Sequence, residues 1–248
     1  MKSITLTPEM AFRGNLILVN ADHPLRETVS PDKLNYFKSS EVLLERKTSL
    51  VLDNLFKAIS CGASIVPVSG YRTLEEQKEI YASSLEENGA DFTQKYVALP
   101  NCSEHQTGLA IDLALNQESI DFIRPYFPRE GICEAFRRKM AVYGFIERYQ
   151  ESKEGITGIS AEPWHFRYVG FPHSSLIQAH NFALEEYLDY IGQFPYEGNH
   201  LKVQVENKNF EIFYQKAENC QVQVEFPGYL PFQVSGTNTG GFVFTLWR

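Results

Sequence analysis

Strands and helices interleaved over residues 1–192, followed by a small β-rich appendage over residues 200–248, are what the sequence predicts. Three observations carry that reading. Apolar residues recur at helical spacing in some windows and in strict alternation in others. The stretch Gly192-Gln193-Phe194-Pro195-Tyr196-Glu197-Gly198-Asn199 has the composition of a linker. Beyond it only short alternating runs remain, about fifty residues, too few to bury a large core alone. With 248 residues, 43% hydrophobic and 22% charged, the chain has enough apolar mass for one domain plus such an appendage.

In order along the chain, Asn15-Leu16-Ile17-Leu18-Val19-Asn20 reads as a buried strand ended by turn chemistry at Ala21–Pro24. Residues 41–61 carry apolar positions whose back half repeats at helical spacing, stopped by Gly62. Ser64–Gly70 reads as a short strand running into a turn. Thr73 with Glu76 three residues later is a capping box, which predicts a helix from there to Gly89. Residues 90–104 are polar and read as a loop. Leu109–Leu115 alternates strictly and predicts a strand. A helix fits 130–143, a charged loop 147–160, a strand 164–169, and helical pattern returns over 174–191. In the appendage, Leu201–Val205, Phe210–Tyr214, Val222–Phe226 and Phe242–Leu246 predict strands, with a turn signal at 236–241.

Lys plus Arg total 23 and Asp plus Glu 31, a formal net charge of −8. That balance argues against nucleic acid or an anionic membrane surface as the main partner. No apolar core follows Lys2, and no run of eighteen apolar residues exists, so neither an export signal nor a membrane span is expected. Cys61, Cys102, Cys133 and Cys220 lack CxxC spacing and are expected as reduced packing thiols in a cytoplasmic protein. His23, His173, His180 and His200 are expected at the surface or in turns.

Three motifs carry chemistry: Ser103-Glu104-His105-Gln106-Thr107-Gly108-Leu109-Ala110-Ile111-Asp112, then Glu162-Pro163-Trp164-His165, and upstream Ser69-Gly70-Tyr71-Arg72. In the alternating strand, Leu109, Ile111, Leu113 and Leu115 share the core face, which leaves Asp112 between Ala110 and Ala114 on the other. His165 alternates away from Trp164, Phe166 and Tyr168. If the two strands pair, His165 and Asp112 face one cavity and His105 closes the triangle from its turn. Two imidazoles and one carboxylate leave a fourth position open, the layout of a catalytic zinc. Glu162 is then placed as general base, and Arg72 as a planar donor for an oxyanion. Taken singly, each residue has a plainer reading. Either histidine is a hydrogen-bonded core residue, Asp112 a buried partner of Arg72 or Arg167, Glu162 a turn cap and Trp164 a core aromatic. The combination favours the metal site.

The set SxHxxGxAxD, ExWH and SGYR resembles the zinc D,D-peptidases of vancomycin resistance, the VanX dipeptidases, VanY carboxypeptidases and bifunctional VanXY enzymes. The similarity spans most of residues 10–190 and is nearest to VanXY, through the runs 65–72, 96–101, 104–113 and 158–170. It implies an α+β fold with a small antiparallel sheet under helices, and one Zn2+ per chain held by His105, Asp112 and His165. It implies Glu162 as general base and Arg72 as the transition-state arginine. Ser103 would hold the substrate's terminal carboxylate, Gln77 would hydrogen-bond its backbone, and Trp164 would line the pocket. The implied substrates are free D-Ala-D-Ala and the terminal D-Ala of the cytoplasmic muramyl-pentapeptide precursor, small peptides whose loss removes the glycopeptide target. The missing export signal fits a cytoplasmic enzyme of the VanXY kind.

Two other readings stay open on sequence grounds: a related wall peptidase, such as an L,D-carboxypeptidase or an endolysin whose β tail binds murein, and a catalytically silent zinc module. The loops at 83–101 and 147–160 are expected to shape access to the site. The pattern assigns no task to residues 200–248, and leaves the dipeptide-to-pentapeptide balance, D-Ser tolerance and oligomeric state open.

Overall fold

The computed structural model describes every residue except Ser39 and Asn219. In chain order its elements are β1 (Lys2–Leu6), β2 (Leu34–Tyr36), β3 (Leu43–Glu45), α1 (Arg46–Ala58), β4 (Ile65–Ser69), α2 (Leu74–Asn88), α3 (Ala90–Tyr96), β5 (Ala110–Leu115), α4 (Gly131–Met140), β6 (Phe145–Glu147), α5 (Glu154–Thr157), β7 (His165–Tyr168), α6 (His173–His180), α7 (Leu184–Ile191), β8 (Leu201–Val205), β9 (Lys208–Lys216), β10 (Val222–Phe226), β11 (Phe232–Gly236) and β12 (Gly241–Trp247). The class is α+β with antiparallel strand ladders, as expected.

The chain divides into two units, Val19–Ala183 and a second made of Met1–Leu18 with Leu184–Arg248. The sequence-based boundary grouped residues 1–192 together; the contacts instead join residues 1–18 and 184–192 to the β-rich tail. The reason is pairing: β1 lies antiparallel to β10, with Lys2 opposite Phe226 and Leu6 opposite Val222.

The Val19–Ala183 unit is built on a four-stranded antiparallel sheet in the order β4-β5-β7-β6. Its core-facing residues are those the alternation predicted. Leu109, Ile111 and Leu113 pack with Phe166 and Tyr168, with Leu52, Leu55 and Phe56 of α1 and with Phe136 of α4. Phe127, Phe136 and Phe166 meet edge to face, with centroids 4.8–5.7 Å apart, the arrangement the ring quadrupoles favour. The capping box holds: Thr73 accepts from Glu76 N at 3.2 Å while Glu76 accepts from Thr73 N at 2.7 Å, and α2 runs to Gly89.

Several local expectations are corrected. Within residues 15–20, Leu16, Ile17, Leu18 and Val19 are buried but form no strand: Leu18 N donates to Thr237 O at 2.8 Å without a ladder around it. The front of the run 41–61, for which no element was expected, holds β3, and α1 follows over the part with helical spacing. The polar stretch after Gly89 holds α3, whose buried Thr93 hydroxyl meets Ser84 at 2.8 Å. The helical pattern of 174–191 is two helices, broken where Asn181 takes φ 52°. His173 is buried at 2% exposure rather than on the surface.

In the other unit β11-β12-β9-β8 form a four-stranded antiparallel sheet. Strand β11 had no expectation, since Phe232–Gly236 ends in the glycine that the turn signal claimed. Phe213, Phe226, Phe242 and Phe244 fill its core with Leu6 and Ala11 from the N-terminal stretch. The expected linker at 192–199 is tied down, since Tyr196 N donates to Tyr214 O at 2.8 Å. Among the described residues the four cysteines are free thiols; Cys61 and Cys133 are buried, Cys102 is half-buried and Cys220 is exposed, so the packing expectation fails for Cys220.

Candidate active site

Sheet register brings the site together. Across β4, β5 and β7 the residues Ser69, Asp112 and His165 stand in one row. A bulge between Pro67 and Ser69 shifts β4 by one residue, which sets Ser69 rather than Val68 opposite Asp112. Asp112 and His165 are direct antiparallel partners, so their side chains leave the same face. His105 arrives from a 3-10 turn over Glu104–Thr107 that ends at Gly108, φ 70°. There a Cβ would come within 3.0 Å of Glu45 N, so the motif glycine serves both the left-handed turn and the close approach.

His105 Nε2 lies 3.1 Å from Asp112 Oδ2, and His165 Nδ1 lies 2.9 Å from Asp112 Oδ1. The ligand atoms of His105, Asp112 and His165 all fall within 4.8 Å of one another, and all three residues are buried. Tetrahedral zinc with bonds near 2.0–2.1 Å sets its ligands about 3.3 Å apart, so the triangle is close to the required size. The outer ring nitrogens are also engaged: His105 Nδ1 meets Gly70 O at 2.7 Å and His165 Nε2 meets Glu104 Oε2 at 3.4 Å. Each imidazole therefore presents its other nitrogen to the centre. The donor set fits a zinc ion.

Electrostatics favours a cation there. Burial opposes a charged His165, but hydrogen bonds to Asp112 and Glu104 and the charge of Glu162 outweigh it and hold its pKa up. Burial pushes Asp112 up, yet contacts with His105 and His165 hold its carboxyl well below the usual range. Burial and the Arg72 charge hold His105 down. Glu162 Oε2 sits 3.8 Å from His165 Nδ1, and burial pushes its carboxyl up to about 8 against the pull of His165 and Arg72. A carboxyl that titrates near neutrality is matched to taking up and returning a proton.

Arg72 reaches the centre from the turn after β4. Its Nε donates to Ser69 Oγ at 2.8 Å, its NH2 group lies 3.3 Å from Asp112 Oδ2, and the Phe122 ring centroid is 5.7 Å from its guanidinium carbon. Arg72, Asp112 and Phe122 line a cleft together with His105, His165, Glu162, Gln77, Ser103 and Trp164. All eight residues singled out from the sequence thus meet in one cleft. Gln77 donates to Ala98 O at 2.8 Å, and its Oε1 is the one buried side-chain oxygen or nitrogen among the described residues without a hydrogen-bond partner. Val97 and Tyr149 also line the cleft, so both expected access loops contribute.

Two parts of the site escaped the sequence reading. Phe122 and Ile123 come from a stretch assigned no element. Glu104 stands beside the first histidine of the motif, and its signal was a charged residue inside an otherwise buried run. Its side chain is fully buried, with Oε1 2.9 Å from Arg148 Nε and 2.7 Å from an Arg167 NH1 group.

A family model described as D-alanyl-D-alanine carboxypeptidase, VanY, matches residues 41–171. The bifunctional D-Ala-D-Ala dipeptidase and D-Ala-D-Ala carboxypeptidase VanXYC of Enterococcus gallinarum is 46% identical over 183 residues, 73% of this chain and 96% of that protein. The crystal structure of the vancomycin resistance D,D-dipeptidase VanXYg in complex with a D-Ala-D-Ala phosphinate analogue matches with a TM-score of 0.96 at 51% identity. That match covers 100% of this chain and 99% of that one. The VanY D,D-pentapeptidase from a VanB-type resistance cassette, solved with Zn(II), matches at 32% identity and a TM-score of 0.57 over 70% of this chain and 98% of its own. The span matched by the family model holds the whole row of Ser69, Asp112 and His165 together with Arg72, His105 and Glu162, and the chain belongs to the VanY family of D-alanyl-D-alanine carboxypeptidases.

Proposed function

We propose that this chain is a zinc D,D-peptidase that hydrolyses free D-Ala-D-Ala and removes the terminal D-Ala from peptidoglycan pentapeptide precursors, and so confers glycopeptide resistance. The observation that carries the reading is the convergence of His105, Asp112 and His165 beside the buried Glu162 carboxyl. His105, Asp112 and His165 would hold the ion. Bound zinc supplies Lewis acidity toward water and a peptide carbonyl. Glu162 takes the proton of the attacking water and returns it to the amine of the departing D-Ala. Arg72, fixed through Ser69, places its guanidinium against the oxyanion of the tetrahedral species. The free Gln77 Oε1 accepts a backbone N–H of the substrate, Ser103 holds the terminal carboxylate, and Trp164 forms a wall of the pocket.

The likeness to VanXYC, named as a D-Ala-D-Ala dipeptidase and carboxypeptidase, supports both activities, and the proposal places them in the cytoplasm. No helix among the described residues is long and apolar enough to cross a membrane. Zinc content and turnover of D-Ala-D-Ala and of the pentapeptide precursor, measured for the native chain and for Glu162→Ala, test the proposal. The native protein should carry zinc and cleave both. The variant should keep zinc and lose turnover by about 10²–10⁴-fold. Full activity in the variant, or cleavage confined to an L,D-linked tetrapeptide, overturns the reading.

A further inference from the structure

We propose that Glu104 is a positioning residue for the metal centre: its carboxylate, clamped between Arg148 and Arg167, fixes the ring of His165 so that Nδ1 and not Nε2 faces the ion, and offsets two buried positive charges that would otherwise repel it. The inference rests on the metal site of the proposed function.

The two histidines face the centre through opposite nitrogens. His105 offers Nε2 and is held from behind by the neutral carbonyl of Gly70, 2.7 Å from Nδ1. His165 offers Nδ1 and is held from behind by a carboxylate, Glu104 Oε2, 3.4 Å from Nε2. A charged acceptor behind an imidazole fixes its tautomer, orients the ring and raises its basicity as a ligand. The Tyr149 ring packs on His165 with centroids 4.9 Å apart, which closes a face of the imidazole.

Glu104 is itself held without slack. Its other oxygen, Oε1, meets Arg148 Nε at 2.9 Å and an Arg167 NH1 group at 2.7 Å, and all three side chains have no solvent exposure. Arg167 stands on β7 two residues beyond His165, opposite Ala110 of β5, so the clamp is built on the strand that carries the ligand. The charge count gives the second role. Glu104 sets a carboxylate against the guanidiniums of Arg148 and Arg167, and removing it makes the buried charge behind His165 more positive by one unit. A divalent ion on the far side of the ring would feel that difference in a medium of low dielectric.

The test compares zinc dissociation constants, by chelator competition, for the native chain, Glu104→Gln and the double variant Glu104→Gln/Arg148→Gln, with cobalt absorption spectra as a second readout. Glu104→Gln should weaken zinc by about 10–100-fold, the range seen when the partner of a ligating histidine is removed. The double variant, which removes one guanidinium together with the carboxylate and so returns the buried charge to its native balance, should recover part of that loss and still show an altered cobalt spectrum. Zinc affinity and cobalt spectra equal to the native protein's in both variants overturn the inference. A single variant that does not fold leaves the double variant to decide. Nitrogen NMR of the zinc-loaded native chain decides even if neither folds: His165 must carry its proton on Nε2, and a proton on Nδ1 overturns the inference. A native chain that binds no zinc instead refutes the metal site itself, a different outcome from unchanged affinity in the variants.

Discussion

Asp112 and His165 stand directly opposite each other on antiparallel strands, and their side chains meet at 2.9 Å. Residues 53 positions apart become neighbours through one register. Alanine at either position should abolish stoichiometric zinc, measured by metal analysis after dialysis. Retention of one zinc per chain in Asp112→Ala would remove Asp112 from the ligand set.

Arg72 should act on the rate more than on binding. Its Nε is tied to Ser69 and its NH2 group to Asp112, which aims the guanidinium into the cleft beside the metal ligands. Arg72→Ala should lower kcat by about 10²–10³-fold, the range for losing an oxyanion donor, with a smaller change in KM. Arg72→Lys should recover little, because an ammonium lacks the planar fork. Steady-state kinetics on D-Ala-D-Ala checks both.

Gln77 holds a buried acceptor without a donor. If a substrate N–H fills that place, Gln77→Met should raise KM by about 2–10-fold, the value of one hydrogen bond. A KM unchanged within error would detach Gln77 from the substrate.

Gly70 supports His105 through its carbonyl, and it has no room for a side chain. A Cβ there would lie 2.3 Å from Leu43 O and 2.6 Å from Val42 Cγ1. Gly70→Ala should cost about 1–3 kcal/mol of stability and weaken zinc as the carbonyl shifts away from His105. Thermal melts with and without zinc separate the two losses.

His173 predicts a pH dependence apart from the metal. Burial holds its pKa down to about 3, against 6.5 for the ordinary imidazole. Between those values the unfolded chain binds the extra proton, so this contribution is complete above pH 6.5 and is lost as pH falls toward 3. Below about pH 6 the loss approaches about 1.4 kcal/mol per pH unit. Denaturation curves of His173→Gln should show a slope between pH 6 and 5 that is shallower by about that amount.

Much of the site could be read from the residues because its strands alternate strictly. The pattern from Leu109 to Leu115 fixed which face Asp112 takes, and the same parity put His165 beside it once β5 and β7 paired. What escaped depends on contacts between distant segments. The apolar run at 15–20 looks like a strand in composition, but only the fold shows that it lacks a ladder partner. Helix α3 escaped because its residues are mostly polar and its buried anchor, Thr93, is paired with Ser84 on the preceding helix. The charge on Glu104 reads as surface until Arg148 and Arg167 are seen closing on it. His173 was read as exposed for the same reason: nothing local reveals what covers it.

The pairing of β1 with β10 has a consequence for biosynthesis. Strand β1 leaves the ribosome about two hundred residues of translation before its mate. Val19–Ala183, by contrast, is one uninterrupted stretch and is finished well before that. Nascent chains arrested once Ala183 has cleared the ribosomal exit tunnel, with β10 still inside it, should therefore already resist protease across Val19–Ala183, while residues 1–18 are still cut.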